Sequence, residues 1–259
     1  MDVTAIIPTL GDRPAMLSEA IDSVYGQTIE VDRLIVVVDG DDEALIRVAK
    51  SIQGRPNLEV ITAGEGRQGV SVARNVGASR ARTAYLAFLD DDDVWRSGHL
   101  AAFSEDVVDI GLSAFWKHRG NECIHEKTPP AVLHPRRFLV TNGGCRGSNL
   151  VVRSEFFWSI GGFDPKLRAF NDVDFAIRAS LMSNVRYRRN RNRDVVFRAH
   201  RGDRISKQGS KAYRRSAQDF EERHGARMTR VDRERFRLWI ATVENFSMDE
   251  TRRWEELHS

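Results

Sequence analysis

Tyr85-Leu-Ala-Phe-Leu-Asp-Asp-Asp-Asp-Val-Trp95 decides the reading of this chain. An apolar run of strand length, Tyr85 to Leu89, delivers the carboxylates of Asp90 to Asp93 to one point. Adjacent carboxylates cannot all stay ionised at neutral pH without a cation or a raised pKa. Only oxygen ligands are on offer, which suits Mg²⁺ or Mn²⁺ rather than zinc. Such ions usually bridge a carboxylate to a substrate phosphate. A solvated acidic turn is the bland alternative, but a buried-looking strand leads into this run and Val94-Trp95 follows it, which favours a metal.

Outward from this junction the chain alternates strands and helices. Val3 to Ile7 reads as a short apolar strand stopped by Pro8, and Pro14 to Tyr25 places Met16, Leu17, Ala20, Ile21 and Val24 at helical spacing. Leu34-Ile-Val-Val-Val38 is a continuous apolar run of the kind buried on both faces of a sheet. Asp41 to Ile52 and Val70 to Arg82 read as helices, and Leu58 to Thr62 as a strand between them. This order implies an α/β fold with a parallel sheet covered by helices. Ligands of such sheets bind beyond the carboxyl ends of the strands, where Asp39 and Asp90 to Asp93 fall. The segment Gly120 to Gly147, with Pro129, Pro130, Pro135 and Gly143-Gly144, reads as loop with short elements. Asn149 to Arg153 and Asp194 to Phe197 look strand-like, and the chain turns helical and charged after Arg204.

The chain has 259 residues, 41% apolar and 30% charged, which fits a globular enzyme with a substantial core. No apolar stretch approaches the roughly 18 residues needed to span a bilayer, and no signal peptide is visible. Cys123 and Cys145 lack CxxC spacing, so a reducing compartment is expected, and with it a cytoplasmic location. The net charge is +3, with arginines crowded between Arg186 and Arg204. That crowding reads either as a patch facing phosphate or the inner membrane surface, or as ordinary surface charge. No nucleic-acid-binding pattern appears.

Gly64-Glu-Gly-Arg-Gln-Gly69 is a literal GxGxxG between a strand and a helix, with Asp90 at about the expected 20 residues beyond it. A dinucleotide site is nevertheless disfavoured. The loop follows the third strand of the unit rather than the first, and four Asp beside a pyrophosphate would repel it.

Val3-Thr-Ala-Ile-Ile-Pro-Thr9, Asp22-Ser-Val-Tyr-Gly-Gln-Thr28, Ile35-Val-Val-Val-Asp39, Gly69-Val-Ser-Val-Ala-Arg-Asn-Val-Gly77, Phe88-Leu-Asp-Asp-Asp-Asp-Val-Trp95, Gly161-Gly-Phe-Asp164 and Asn171-Asp-Val-Asp174 occur in this order. Together they resemble the family 2 glycosyltransferases of the GT-A fold, over about residues 3 to 205. The resemblance implies a Rossmann-like, mostly parallel nucleotide-binding sheet with helices on both faces. It divides the chain into a GT-A domain, 1–205, and a helical C-terminal extension, 206–259. Within the domain, residues 1–100 would bind the nucleotide sugar and 101–205 the acceptor.

The activity implied is inverting, metal-dependent transfer of a sugar from a nucleoside diphosphate sugar to an acceptor nucleophile. Thr9 and Asp39 match positions that contact the base and ribose, and Arg13 and Arg74 are candidate diphosphate or base contacts. A salt bridge to the Asp cluster is an equal reading of Arg74. Asp90 and Asp92 match the ends of the DxD motif, with Asp91 nearer the ribose and Asp93 behind the ligands. Pro8, Thr9, Arg13, Asp39, Arg67, Arg74, Asp90 and Asp91 thus form the implied nucleotide-sugar-binding set. Asp92 and His200 are the implied ligands of Mn²⁺ or Mg²⁺, and Asp172 the general base. Arg201, Arg204 and Lys207 would sit where a loop closes over the diphosphate.

Two departures stand out. Asn171 replaces the usual acid and removes a charge beside the base, which should lower its pKa. Leu10-Gly11-Asp12 lacks an aromatic that could stack on the base, so UDP is favoured over GDP or dTDP only as the commonest donor. Asp174 reads as a structural acid, with an N-cap of a helix from Phe175 to Met182 as the plain alternative for either Asp172 or Asp174. Phe236, Trp239, Ile240, Val243 and Phe246 share a helical face, extended by Trp254 and Leu257. That face is expected to pack on the parent domain, with a dimer or peripheral membrane contact as alternatives. Glycan, lipid-linked sugar, peptide and natural-product acceptors all fit. The competing readings are a metal-dependent nucleotidyltransferase, which needs a Gly-rich basic loop after the first strand, and a non-catalytic sugar-nucleotide-binding protein.

Overall fold

Strand β1 (Val3–Thr9) is buried at every residue, and its side chains alternate between two separate cores. Val3, Ala5 and Ile7 enter one, Ile6 the other. The same alternation runs through β2 (Arg33–Val38), where Leu34, Val36 and Val38 face one side and Ile35 and Val37 the opposite one. A strand covered on both faces has no polar side, which is why these segments read as unbroken apolar runs. One face is covered by α1 (Pro14–Tyr25) and α2 (Asp42–Ser51), through Leu17, Ala20, Ile21, Val24, Ala44 and Val48. Asp41 caps α2, its side chain accepting from the Ala44 amide at 2.8 Å. After β3 (Leu58–Thr62), α3 (Val70–Arg80) covers the other face and returns the chain to β4 (Tyr85–Phe88). The computed structural model that shows this describes residues 1–199 and 211–245.

These four strands lie parallel in the order β3-β2-β1-β4. The order reverses direction at β1, so a crevice opens there beyond the carboxyl ends of the strands. Pro8 does not end β1, contrary to the sequence reading. It pairs with Val37, and pairing with β4 stops at Ile6↔Phe88. Even-numbered residues of β1 face β4, as the Leu89 amide donating to the Ile6 carbonyl shows. The N–H that proline lacks would therefore point past the end of that ladder.

Beyond β4 the sheet is mixed rather than wholly parallel. The remaining strands are β5 (Val94–Trp95), β6 (Ile110–Arg119), β7 (Glu122–Lys127), β8 (Leu150–Arg153) and β9 (Tyr187–Arg198). The order continues β4-β8-β6-β9-β5, with β7 folded back on β6. Strand β8 is antiparallel to both β4 and β6, while β6 and β9 are parallel. No sequence expectation covered β6, and β7 lies in the segment read as loop.

Two helices flank the acidic motif Asn171 to Asp174: α4 (Ser154–Ser159) precedes it and α5 (Asn171–Ser180) begins with it. The helix starts earlier than Phe175, so neither Asp172 nor Asp174 is its N-cap. That place belongs to Phe170, in the left-handed region at φ 62°. A bulky residue there is strained. Packing holds it: the Phe170 ring meets Tyr213, Phe220, Phe236 and Trp239 at centroid distances of 5.1 to 5.9 Å. These rings come from α6 (Lys211–His224) and α7 (Arg230–Asn245). Phe236 and Trp239, and in part Ile240, of the apolar face expected to pack on the domain are thus buried. His200, Arg201, Arg204, Lys207, Phe246, Trp254, Leu257 and the side chain of Val243 lie outside the described residues.

Four of the six arginines from Arg186 to Arg198 are absorbed by ion pairs, Arg198 with Glu19 among them. Arg186 binds Asp109, Arg188 binds Asp106 and Arg193 binds Glu126. Among the described residues no helix is long and apolar enough to cross a membrane.

Candidate active site

Strand ends from three places bring the acids together. Thr9, at the end of β1, donates its hydroxyl to Asp91 Oδ2 at 2.5 Å. Arg13, just before α1, spans two carboxylates, with Nη2 2.9 Å from Asp91 and Nη1 2.8 Å from Asp92. Arg74 of α3 is buried and reaches Asp90 Oδ1 at 2.5 Å. Behind the motif, Ser148 donates to Asp93 at 2.6 Å, and the Arg198 amide donates to the same carboxylate at 3.0 Å. The repulsion inherent in four adjacent acids is therefore met in two ways. Guanidinium groups face Asp90, Asp91 and Asp92, while burial pushes Asp91 up to about 7 and Asp93 well above the usual carboxylate range.

Carboxylate oxygens of Asp90, Asp92 and Asp93 lie within 4.8 Å of one another. An all-oxygen set this compact fits a hard divalent cation such as Mg²⁺ or Mn²⁺. Asp93 belongs to this cluster by distance, where the sequence placed it behind the ligands.

Asp39 is buried beyond β2 and accepts from the Gln68 and Gly69 amides at 2.5 and 2.8 Å. The GxGxxG segment is thus folded onto the end of β2. Its amides hold a carboxylate of this chain, as expected if it is no pyrophosphate loop. Arg67, in the same segment, is exposed, and its carbonyl accepts from Arg168 Nη2 at 3.4 Å. Pro8 sits inside β1.

Arg74 joins the two acidic motifs. Its Nη1 donates to Asn171 Oδ1 at 3.0 Å while Nη2 holds Asp90. A Cβ on Gly147 would lie 1.9 Å from Arg74 Nη2, so that position must be glycine for the bridge to form. Asn171, where an acid was expected, supplies an amide oxygen for a buried cation that already has one carboxylate.

Asp172 is half-buried in the first turn of α5, and the Val173 amide donates to its Oδ1 at 2.8 Å. Burial pushes its carboxyl up, and Arg146 and then Arg74 pull it back only in part. The net shift is upward, whereas the missing acid at Asn171 alone suggested a lower value: burial outweighs the lost charge. Asp174 is the opposite case. It is fully buried and receives Arg178 Nε at 2.8 Å, His224 Nε2 at 2.9 Å and Arg223 Nη1 at 3.2 Å. Burial alone would raise it, but His224 and the two guanidinium groups leave it below its ordinary value.

Sequence reasoning missed Arg146, Ser148 and Asn149. Arg146 lies over the rings of Phe115 and Phe197 at 5.6 and 5.2 Å, and its Nε is buried without a hydrogen-bond partner among the described residues. Asn149 ties the Gly144 and Ser113 carbonyls together. The only local signal was the polar run Arg146-Gly-Ser-Asn149 before an apolar strand.

Residues 4–160 match the sequence pattern of glycosyl transferase family 2. The chain is 31% identical over 121 residues to the succinoglycan biosynthesis protein ExoW of Rhizobium meliloti, covering 44% of this chain and 36% of that protein. It is 32% identical over 163 residues to the uncharacterized glycosyltransferase EpsJ of Bacillus subtilis, covering 61% and 46% respectively. The chain therefore spans less than half the length of these two relatives. Among solved structures, S. aureus TarS 1–349 in complex with UDP-GlcNAc matches with a TM-score of 0.66 at 17% identity, covering all of this chain and 91% of that one. That likeness shows a shared GT-A fold, and the sequence match adds the lineage: this chain belongs to glycosyltransferase family 2.

Proposed function

We propose that this chain transfers a sugar, with inversion, from a nucleoside diphosphate sugar to an acceptor nucleophile, most simply a hydroxyl. The observation that carries this reading is Arg74, whose one buried guanidinium holds both Asp90 and the residue next to Asp172. A donor diphosphate at the strand ends and an acceptor beside Asp172 would then share one crevice. In this reading residues 1–100 bind the donor, 101–205 the acceptor, and 206–259 are a C-terminal extension whose helices α6 and α7 brace the start of α5.

Asp172 takes the acceptor proton as the acceptor oxygen attacks the anomeric carbon opposite the departing diphosphate. Its raised pKa makes it a stronger base than an exposed carboxylate, provided it stays ionised. Thr9 and Asp39 would contact the base and ribose and Arg13 the diphosphate or base, with Pro8, Arg67 and Asp91 completing the donor set. Asp90, Asp92 and Asp93, with His200 as a further ligand, would hold Mn²⁺ or Mg²⁺, whose charge would neutralise that developing on the leaving diphosphate. Uridine is the first base to test, because TarS structures of the same fold hold UDP-GlcNAc and UDP.

Calorimetric titration with UDP, GDP and dTDP, each with and without Mn²⁺, tests the donor site. We expect Mn²⁺-dependent binding of UDP that Asp92→Ala abolishes. Unchanged affinity in that variant would remove Asp92 from the metal site. Failure of the folded protein to bind any of the three would return the nucleotidyltransferase and non-catalytic readings.

A further inference from the structure

A cavity of about 530 Å³ opens between the segment after β7 and strand β9. Its walls combine Pro129, Pro130 and Val132 with His134, Arg137 and Arg189, and no acidic residue lines it. Arg186, Arg188 and Arg193 on the same strand are each matched to a carboxylate, but among the described residues Arg189 has no carboxylate partner and donates to the Pro129 carbonyl at 3.4 Å. Arg137 has no ion-pair partner among the described residues. Two guanidinium groups and one imidazole thus border a space that no carboxylate lines.

The cavity wall touches the loop that leads to the candidate active site. Gly144 approaches Pro129 so closely that a Cβ would lie 3.1 Å from the Pro129 Cα. The next residue, Cys145, has Sγ 3.5 Å from the Asp172 carbonyl oxygen. Arg146 follows, and the field of its guanidinium acts on the Asp172 carboxylate. One short loop, residues 144–146, thus links the cavity wall to the first turn of α5, which carries Asp172.

We propose that this cavity binds a phosphate group carried by the acceptor, held by Arg137 and Arg189, so that the acceptor class is a phosphorylated one. The inference rests on the reading of Asp172 as the base that the acceptor must approach. Guanidinium pairs suit phosphate because their fork geometry allows two parallel charge-assisted hydrogen bonds to each.

The test is titration of the ¹⁵N-labelled full chain with glucose 1-phosphate, geranyl phosphate and glucose, following arginine Nε–Hε resonances. The expected result is saturable shifts of the Arg137 and Arg189 signals with both phosphates and none with glucose. Arg137→Gln with Arg189→Gln should weaken phosphate binding by about tenfold or more. Both sites lie at the surface of a loop and a strand, so the double variant should fold. Tighter binding of geranyl phosphate would place the phosphate on a lipid-linked acceptor, and tighter binding of glucose 1-phosphate on a soluble glycan. Undiminished binding by the double variant, a glucose response equal to that of the phosphates, or shifts confined to Arg13 and Arg74 would each overturn the proposal. Loss of the donor-site reading would show separately, as absence of Mn²⁺-dependent UDP binding by the wild-type chain.

Discussion

Asp172 and Asp174 stand two residues apart on α5, yet the protein treats them in opposite ways. Asp174 is enclosed by Arg178, Arg223 and His224 and is held below its ordinary pKa. Asp172 has one amide donor from its own neighbour, and burial raises it. The difference separates an acid that holds the fold from one left available for chemistry. An oxygen whose lone pairs are filled by guanidinium and imidazole donors cannot also accept a proton from a substrate. The Asp90 to Asp93 cluster lies between these cases. Its acids are countered by Arg13, Arg74 and Ser148, but three of them still converge closely enough to share a cation.

Substitution at the two positions should break this symmetry most sharply. Asp172→Asn should lower transfer by about 10²-fold or more, in the range of removing a general base, and leave Mn²⁺-dependent UDP affinity within about twofold. Its stability at pH 7 should not fall. A raised carboxyl pKa means that ionisation opposes folding at neutral pH, so a neutral amide removes a cost. Persistent transfer near the wild-type rate would show that another group is the base.

Asp174→Asn should do the reverse. Removing one partner of a buried ion-pair cluster costs about 3–5 kcal/mol, and the loss should appear as a lower urea midpoint. Because its pKa is depressed, the contribution of Asp174 is fully present above the ordinary carboxylate range. It disappears as pH falls through the lower folded value. The variant and wild type should therefore converge in stability in acid. Parallel curves down to low pH would mean that the cluster around Asp174 is not electrostatic in origin.

The same contrast explains what could be read from the sequence. Strands β1, β2 and β4 were legible because burial on both faces leaves an uninterrupted apolar signature. Strand β6 was not: Gly111, Ser113 and Ala114 are all buried, but small residues carry little pattern, and its far end is Lys117-His-Arg119. In β9 only Asp194 to Phe197 read as strand; the arginines hid its start, since their acidic partners Asp106, Asp109 and Glu126 lie some 60 to 80 residues away in sequence. The start of α5 was misplaced because its first turn carries acids for the site and for α6, not an apolar face. Asp39, Asp91 and Arg74 were legible as candidate site residues through their motifs. Arg146 was invisible, because what defines it is a pair of rings on two other strands.

Arg146 supplies the finest test of the contrast. It is the largest influence opposing burial at Asp172, and it has no competing carboxylate partner among the described residues. If that guanidinium keeps Asp172 ionised, Arg146→Gln should move the acidic limb of the kcat profile to higher pH. The sign follows from the base needing to be deprotonated: losing a nearby positive charge raises its pKa, so activity is lost earlier as pH falls. The displacement should be about one pH unit or less, since a half-buried pair at an effective dielectric near 20 exchanges only a kcal/mol or so. Arg146→Lys should restore most of it, although a lysine stacks less well on Phe115 and Phe197. A fall in kcat with no movement of the limb in either variant would make Arg146 a packing residue between those rings, and Asp172 would then owe its ionisation to Arg74.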